Sequence, residues 1–168
     1  GGNLYFTDPA YGLPKGMDDS TKELSFQGVY CHLKSGETIL LDSLSRPNGI
    51  AFSPDESKLY VAVSDNKHAV WYEYEVISPG KIDNKKLFFD VTDLIGKAGQ
   101  QGLPDGMKVD KDGYVFASGP GGIWIFNSEA KVMARIHTGR LTSNCAFSSD
   151  GKTLYLTADR DVLRVDLK

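Results

Sequence analysis

A chain of 168 residues, 40% hydrophobic and 24% charged, is the size of one ordinary domain and can bury a core. Nineteen Lys and Arg against 22 Asp and Glu leave a net charge of -3, and no run of either sign exceeds two or three residues, which speaks against nucleic acid as a partner. No stretch approaches about 18 consecutive apolar residues, and Gly1 to Asp8 lacks a basic region followed by a small-residue cleavage site, so neither a membrane span nor a signal peptide is visible.

Eighteen glycines accompany 18 aromatic residues, a composition suited to short strands joined by tight turns, and the expected class is all-β. The opening segment, Asn3 to Asp8, reads as the second strand of a sheet unit, and a proline- and glycine-rich loop over Asp8 to Gln27 follows. Three turns then repeat: Ser53-Pro54-Asp55-Glu56, Asp110-Lys111-Asp112-Gly113 and Ser148-Ser149-Asp150-Gly151. Aligned on Asp55, Asp112 and Asp150, they are preceded at nearly matching offsets by Pro47-Asn48-Gly49-Ile50-Ala51-Phe52, Pro104-Asp105-Gly106-Met107-Lys108-Val109 and Thr142-Ser143-Asn144-Cys145-Ala146-Phe147.

Second strands follow at Lys58–Ser64, Tyr114–Ser118 and Thr153–Ala158, third strands at His68–Val76, Gly122–Asn127 and Asp161–Asp166, and fourth strands at Leu87–Val91 and Val132–Thr138. The unit is a four-stranded antiparallel meander of roughly 40 to 55 residues, the period of a β-propeller blade. About fourteen strands make three and a half to four blades. A propeller closes a ring to remove its sheet edges, so residues 1–168 read as one partial propeller domain whose N-terminal blades are missing, and open edges favour self-association. The alternative is a four-bladed ring closed by unusual pairing of the two ends. A second long loop is expected over Ser78 to Gly102, with a short helix near Val91 to Ala98.

In a blade the first strand lines the channel, and its start lies on the same face as the end of the antiparallel second strand. Asn48 and Asp105, each seven positions before its anchoring Asp, start neighbouring inner strands, while Asp8, Ser64, Asp65, Asn66, Ser118 and Asp159 end second strands. This oxygen-rich face suits a hard divalent cation, Ca²⁺ first, with Mg²⁺, Mn²⁺ or Zn²⁺ as alternatives. On spacing alone, Pro-Asn-Gly and Pro-Asp-Gly read first as turn chemistry, ahead of cation ligands. In the third repeat the corresponding position is Ser143, and Asn144 sits one place off, facing the other way in a regular strand.

Other signals point to structure. Gly119-Pro120-Gly121-Gly122 reads as a hairpin connection, and Asp110-x-Asp112-Gly113 lacks the Gly, the Glu and the flanking helices of a calcium loop. No Gly-x-Ser-x-Gly elbow occurs, and His32, His68 and His137 fall in or beside outer strands, against a serine–histidine triad. Tyr5, Phe6, Tyr60, Trp71, Trp124 and Tyr155 are expected to pack between blades, and Cys31 and Cys145 to be buried free thiols.

The segments Arg46-Pro47-Asn48-Gly49-Ile50-Ala51-Phe52-Ser53-Pro54-Asp55 and Leu103-Pro104-Asp105-Gly106-Met107-Lys108-Val109-Asp110 resemble the gluconolactonase and senescence-marker-protein (regucalcin) family, and Tyr5 to Leu13, Gly119 to Gly122 and Thr142 to Phe147 resemble bacterial gluconolactonase segments in the same order. The resemblance implies a six-bladed propeller that opens sugar lactones with one divalent cation in its channel. It places the cation on Asn48 and Asp105, makes Asp105 the catalytic general base, and assigns a ligand Glu and a further Asn to sequence this chain lacks. Substrate contacts are expected at Asp8, Tyr11 and Asn144. The compartment, bacterial cytoplasm or periplasm, stays open. A non-catalytic scaffold propeller and a related metal-dependent esterase or organophosphate hydrolase are the competing readings.

Overall fold

The computed structural model describes residues 2–167. Its first sheet holds β1 (Leu4–Asp8), β2 (Gly28–His32) and β3 (Thr38–Ser43), and its second β4 (Pro47–Phe52), β5 (Lys58–Asp65), β6 (His68–Ser78) and β7 (Lys81–Asp90). The third holds β8 (Met107–Val109), β9 (Val115–Gly119), β10 (Gly122–Phe126) and β11 (Val132–His137), and the last β12 (Thr142–Phe147), β13 (Thr153–Ala158) and β14 (Asp161–Asp166). Every pairing is antiparallel between strands adjacent in sequence, so each sheet is a meander, as the repeat requires.

The repeated turns owe their shape to one acceptor each. Asp55 Oδ1 accepts from Ser53 Oγ at 2.6 Å and from the Ser57 amide at 3.1 Å. Asp150 does the same with Ser148 Oγ at 2.6 Å and the Lys152 amide at 3.0 Å. In the middle turn the acceptor is Asp110, bonded by the amides of Asp112 and Tyr114 at 2.9 Å each, while Asp112 is exposed beside Lys111. Local side-chain bonding of this kind holds a hairpin reversal without help from the core.

Alternate residues of each strand face opposite neighbours, and three clusters fill the spaces between sheets. Val29, Leu59, Val61 and Tyr74 join the first two sheets, and Phe116, Ile123, Cys145, Leu154 and Leu156 the last two. Between the middle sheets lie Tyr60, Trp71, Phe88, Met107, Trp124 and Phe126, with Phe126 5.4 Å from both Trp71 and Phe88 in edge-on contact. Both cysteines are buried and free. Tyr155 is 41% exposed, on the face of the last sheet turned away from its neighbouring sheet.

The long loops are shorter than the sequence suggests. Ser78 to Gly102 contains β7, whose pairing with β6 slips at three points, and those bulges mask the period-2 pattern. The helix expected near Val91 to Ala98 is one 3₁₀ turn, Thr92–Leu94, and Gly96 and Gly99, at φ of 80° and 75°, stop it from continuing. Two further 3₁₀ turns, Ala10–Gly12 and Gly16–Asp18, order the first loop. Among the described residues no helix is long and apolar enough to cross a membrane.

Candidate functional site

Asn48 stands on a bulge. Pro47 pairs with Val63 and Ile50 with Val61, so Asn48 and Gly49 together oppose a single residue of β5. Asp105 repeats the device just ahead of β8: its amide donates to the Ser118 carbonyl at 3.1 Å, while the Ser118 amide donates to the Gly106 carbonyl at 3.0 Å. In β12 the slip falls between Thr142 and Asn144, leaving Ser143 as the extra residue. A bulge of this kind re-aims the side chain it carries, and here it recurs in three successive inner segments.

The two glycines explain why the bulges can meet. A Cβ on Gly49 would lie 2.0 Å from the Asp105 carbonyl oxygen, and one on Gly106 2.2 Å from the Asn144 side chain. Pro-Asn-Gly is therefore strand rather than turn: Pro47 to Phe52 is β4, and Gly49 is required for the close approach of neighbouring segments.

Asn48 and Asp105 line one cavity of about 700 Å³. Its other walls are Tyr11 from the first 3₁₀ turn, the loop residues Ile95, Lys97, Gln100, Gln101 and Leu103, and Leu141. The volume lies in the range of small-molecule sites. Burial pushes the Asp105 carboxyl above its ordinary value, and the Gly106 amide and the Asn48 side chain pull it part of the way back. Ser64, at the end of β5, completes the constellation: its Oγ donates to the Pro104 carbonyl and accepts from Asn48 Nδ2 at 3.1 Å.

The remaining candidates disperse. Asp8 lines a separate recess of about 430 Å³ with Pro9, Met17, Phe26 and Gln27. Asn144 is exposed, its Oδ1 accepting from the Cys145 amide at 2.8 Å, and it lines a third recess beside Lys108 and Tyr155. Of the three expected substrate contacts only Tyr11 shares the cavity with Asn48 and Asp105. Asp65 is engaged by Ser45 Oγ and the Lys67 amide, and Ser118 Oγ by the carbonyls of Gly106 and Ser143. His32 and His68 are exposed, bonded to Thr38 and Tyr72.

One group escaped the sequence reading. Arg135 lies 3.7 Å from the Trp124 ring, and its Nη2 donates to Gln100 Oε1 at 2.9 Å and to the Pro120 carbonyl at 2.7 Å, tying the cavity loop to the β9–β10 turn. Trp124 and Arg135 are directly opposite in the β10–β11 ladder, a register that becomes visible only once the strands are placed.

The donors fit a hard cation: an amide side chain and a carboxylate line the same cavity, and the carboxylate is partly desolvated. Among the described residues no three His, Cys, Asp or Glu side chains converge on a common point, so a cation held by Asn48 and Asp105 would need further ligands.

Comparison with known proteins identifies the family. A gluconolactonase of Zymomonas mobilis is 41% identical over 99% of this chain and 48% of its own length. A diisopropyl-fluorophosphatase of Loligo vulgaris is 26% identical over 93% of the chain and 50% of its own. The chain thus spans about half the length of the curated relatives it matches. Among solved structures, a gluconolactonase of Xanthomonas campestris superposes with a TM-score of 0.84 at 29% identity, covering 99% of this chain and 54% of that one. A calcium-binding regucalcin of Agrobacterium tumefaciens shares the fold, with a TM-score of 0.67 at 22% identity over 95% of this chain and 55% of that one. The four sheets are therefore β-propeller blades, and the family model for the SMP-30/Gluconolactonase/LRE-like region matches residues 1–160. The chain belongs to that family.

Proposed function

We propose that this chain carries the Asn–Asp part of a divalent-cation site in a lactone hydrolase, with a sugar lactone as substrate. The observation that carries the reading is the meeting of Asn48 and Asp105 on one cavity of about 700 Å³, across the glycine contact that brings their segments together. The relatives named gluconolactonase supply the substrate class.

Asn48 Oδ1 and the Asp105 carboxylate would hold the cation, for which Ca²⁺ is the best match to an all-oxygen donor pair and Mg²⁺, Mn²⁺ and Zn²⁺ are the alternatives. A bound divalent ion polarises an ester carbonyl and lowers the pKa of a coordinated water. Asp105 would take the proton from the attacking water, a role supported by its carboxylate being partly withdrawn from solvent and lining the cavity. Tyr11, Leu103 and Leu141 give that space apolar walls, while Lys97, Gln100 and Gln101 offer polar groups to a hydroxylated ring.

The test is proton release from glucono-δ-lactone and a small lactone panel, with added Ca²⁺, with EDTA, and with Asp105→Ala. Hydrolysis that requires both the metal and Asp105 supports the reading. Cation-independent hydrolysis, or an Asp105→Ala variant as active as the parent, overturns it. A fluorophosphate ester in the same panel addresses the organophosphate alternative, for which the Loligo vulgaris relative is the reason to look. A scaffold propeller would bind no cation and hydrolyse nothing.

A further inference from the structure

Ser64 is a polar residue only 4% exposed, and a buried hydroxyl needs hydrogen-bond partners. A serine hydroxyl has one proton and two lone pairs. The proton goes to the Pro104 carbonyl, an acceptor only, so the oxygen is left to accept, and it accepts from Asn48 Nδ2 at 3.1 Å. That arrangement, together with the hydrogen bond from the Asn48 amide to the Asp105 carboxylate, decides which end of the Asn48 amide points where. Were the amide reversed, Oδ1 would face a hydroxyl oxygen whose proton is already committed, and two acceptors would oppose each other in a buried setting.

We propose that Ser64 is a positioning residue for the candidate cation site: it fixes the Asn48 amide with Nδ2 inward and Oδ1 free for a cation, and through Pro104 it also holds the segment that presents Asp105. The inference rests on the reading of Asn48 and Asp105 as cation ligands. One hydroxyl thereby couples two neighbouring blades at the point where each contributes a donor. Ser64 belongs to a series at the ends of second strands, since Thr7 Oγ1 donates to the Asn48 carbonyl at 2.7 Å and Ser118 Oγ lies between the Gly106 and Ser143 carbonyls, at 2.9 and 3.0 Å. Within that series the Ser64 hydroxyl is the one that also accepts from a candidate ligand's side chain.

The experiment measures the parent chain, Ser64→Ala and Ser64→Thr in two ways. The first is the NMR signal of the Asn48 side-chain NH₂ without metal, where a hydrogen-bonded proton shows a displaced shift and slowed exchange. The second is Ca²⁺ affinity by calorimetry. The two protons on Asn48 Nδ2 face Ser64 and Asp105, so we expect two bonded protons in the parent, release of the one facing Ser64 in Ser64→Ala with affinity weakened about tenfold or more, as for groups that orient metal ligands, and recovery of both in Ser64→Thr. Threonine suits the register, because Thr7 does the equivalent work in β1. An unbonded Asn48 amide in the parent overturns the proposal whether or not the variants fold. So does a folded Ser64→Ala variant that binds Ca²⁺ as tightly as the parent. If the parent binds no Ca²⁺, the cation reading fails, and with it the functional role, while the NMR comparison still reports whether Ser64 orients Asn48.

Discussion

Gly49 and Asp105 touch so closely that a methyl group on the first would lie 2.0 Å from the carbonyl oxygen of the second. The contact is backbone to backbone, so no side-chain rotation relieves it. Gly49 has no left-handed φ, and the cost of substituting it comes from space alone. Gly49→Ala is expected to destabilise the fold by about 1–3 kcal/mol, the usual range for overpacking, and to separate Asn48 from Asp105. Denaturant unfolding measures the first effect and Ca²⁺ titration the second. A variant of parental stability would show that the two segments yield easily.

Arg135 connects the cavity loop to the sheet through Gln100, the Pro120 carbonyl and the Trp124 ring. Arg135→Ala removes all three contacts, and about 2 kcal/mol is expected to be lost, in line with charge-assisted hydrogen bonds and a half-buried cation–π pair. Arg135→Lys should recover little, because an ammonium group lacks the planar fork that reaches two acceptors while lying on a ring. Hydrogen exchange over residues 95–103 checks the consequence: faster exchange there, with the β5 and β9 amides unchanged, is the expected pattern.

Much of this was legible in the sequence, for reasons that differ by residue. Asp55 and Asp150 shape their turns with neighbours no more than two positions away, so short-range chemistry reveals them. Asn48 and Asp105 could be paired because the repeat supplies their offsets. The work of Gly49 and Gly106 could not be read, since it depends on contacts 56 and 38 residues away along the chain, Gly49 to Asp105 and Gly106 to Asn144. Asp8 joins the expected site as the end of a second strand, and Asn144 by standing one place from the matching position of the third repeat. Each borders a residue that faces the next inner segment or the bulge, Thr7 and Ser143, and alternation turns its side chain elsewhere.

The turn carboxylates predict acid sensitivity. Hydrogen bonds from Ser53 Oγ, then from the amide and hydroxyl of Ser57, hold Asp55 down at about 2, and Ser148 and the Lys152 amide lower Asp150. A carboxyl whose folded pKa is depressed stabilises the fold fully above its unfolded value near 3.8, and that contribution is lost as pH falls toward the folded value. Stability should therefore decline between about pH 4 and pH 2. Asp55→Asn should flatten that decline, as read from urea midpoints at pH 6 and pH 3.

The end sheets present uncovered faces. Leu4 and Leu40 are 62% and 43% exposed on the first, and Tyr155 and Val162 41% and 71% on the last. Each pair lies opposite the face that packs on a neighbouring sheet, where Val29 and Leu41 or Leu154 and Leu156 are found. This chain on its own is expected to self-associate as its concentration rises, and Leu4→Glu with Val162→Lys should shift it toward monomer. Sedimentation equilibrium decides, and a monomer at all concentrations would contradict the expectation.

Asp105 carries the opposite charge logic from Asp55, and its sign yields a sharper test. Burial raises its carboxyl, so the fold favours the protonated form. Without metal, the resulting penalty is absent below the unfolded value near 3.8, grows as pH rises through the raised folded value, and is complete above it. Asp105→Asn removes the charge at nearly constant shape, so at pH 7 the metal-free variant should be more stable than the parent. At acidic pH the two should converge. A divalent cation reverses the order, because it supplies the countercharge that the protein lacks, and Ca²⁺ should stabilise the parent by RT ln(1 + [Ca²⁺]/Kd) and leave the variant unmoved. Thermal unfolding of both proteins at pH 4 and pH 7, with Ca²⁺ and with EDTA, reads every part of this. Calcium-insensitive unfolding of the parent at pH 7 would remove Asp105 from any cation site, whereas parent and variant of equal stability in EDTA would mean that solvent already compensates its charge.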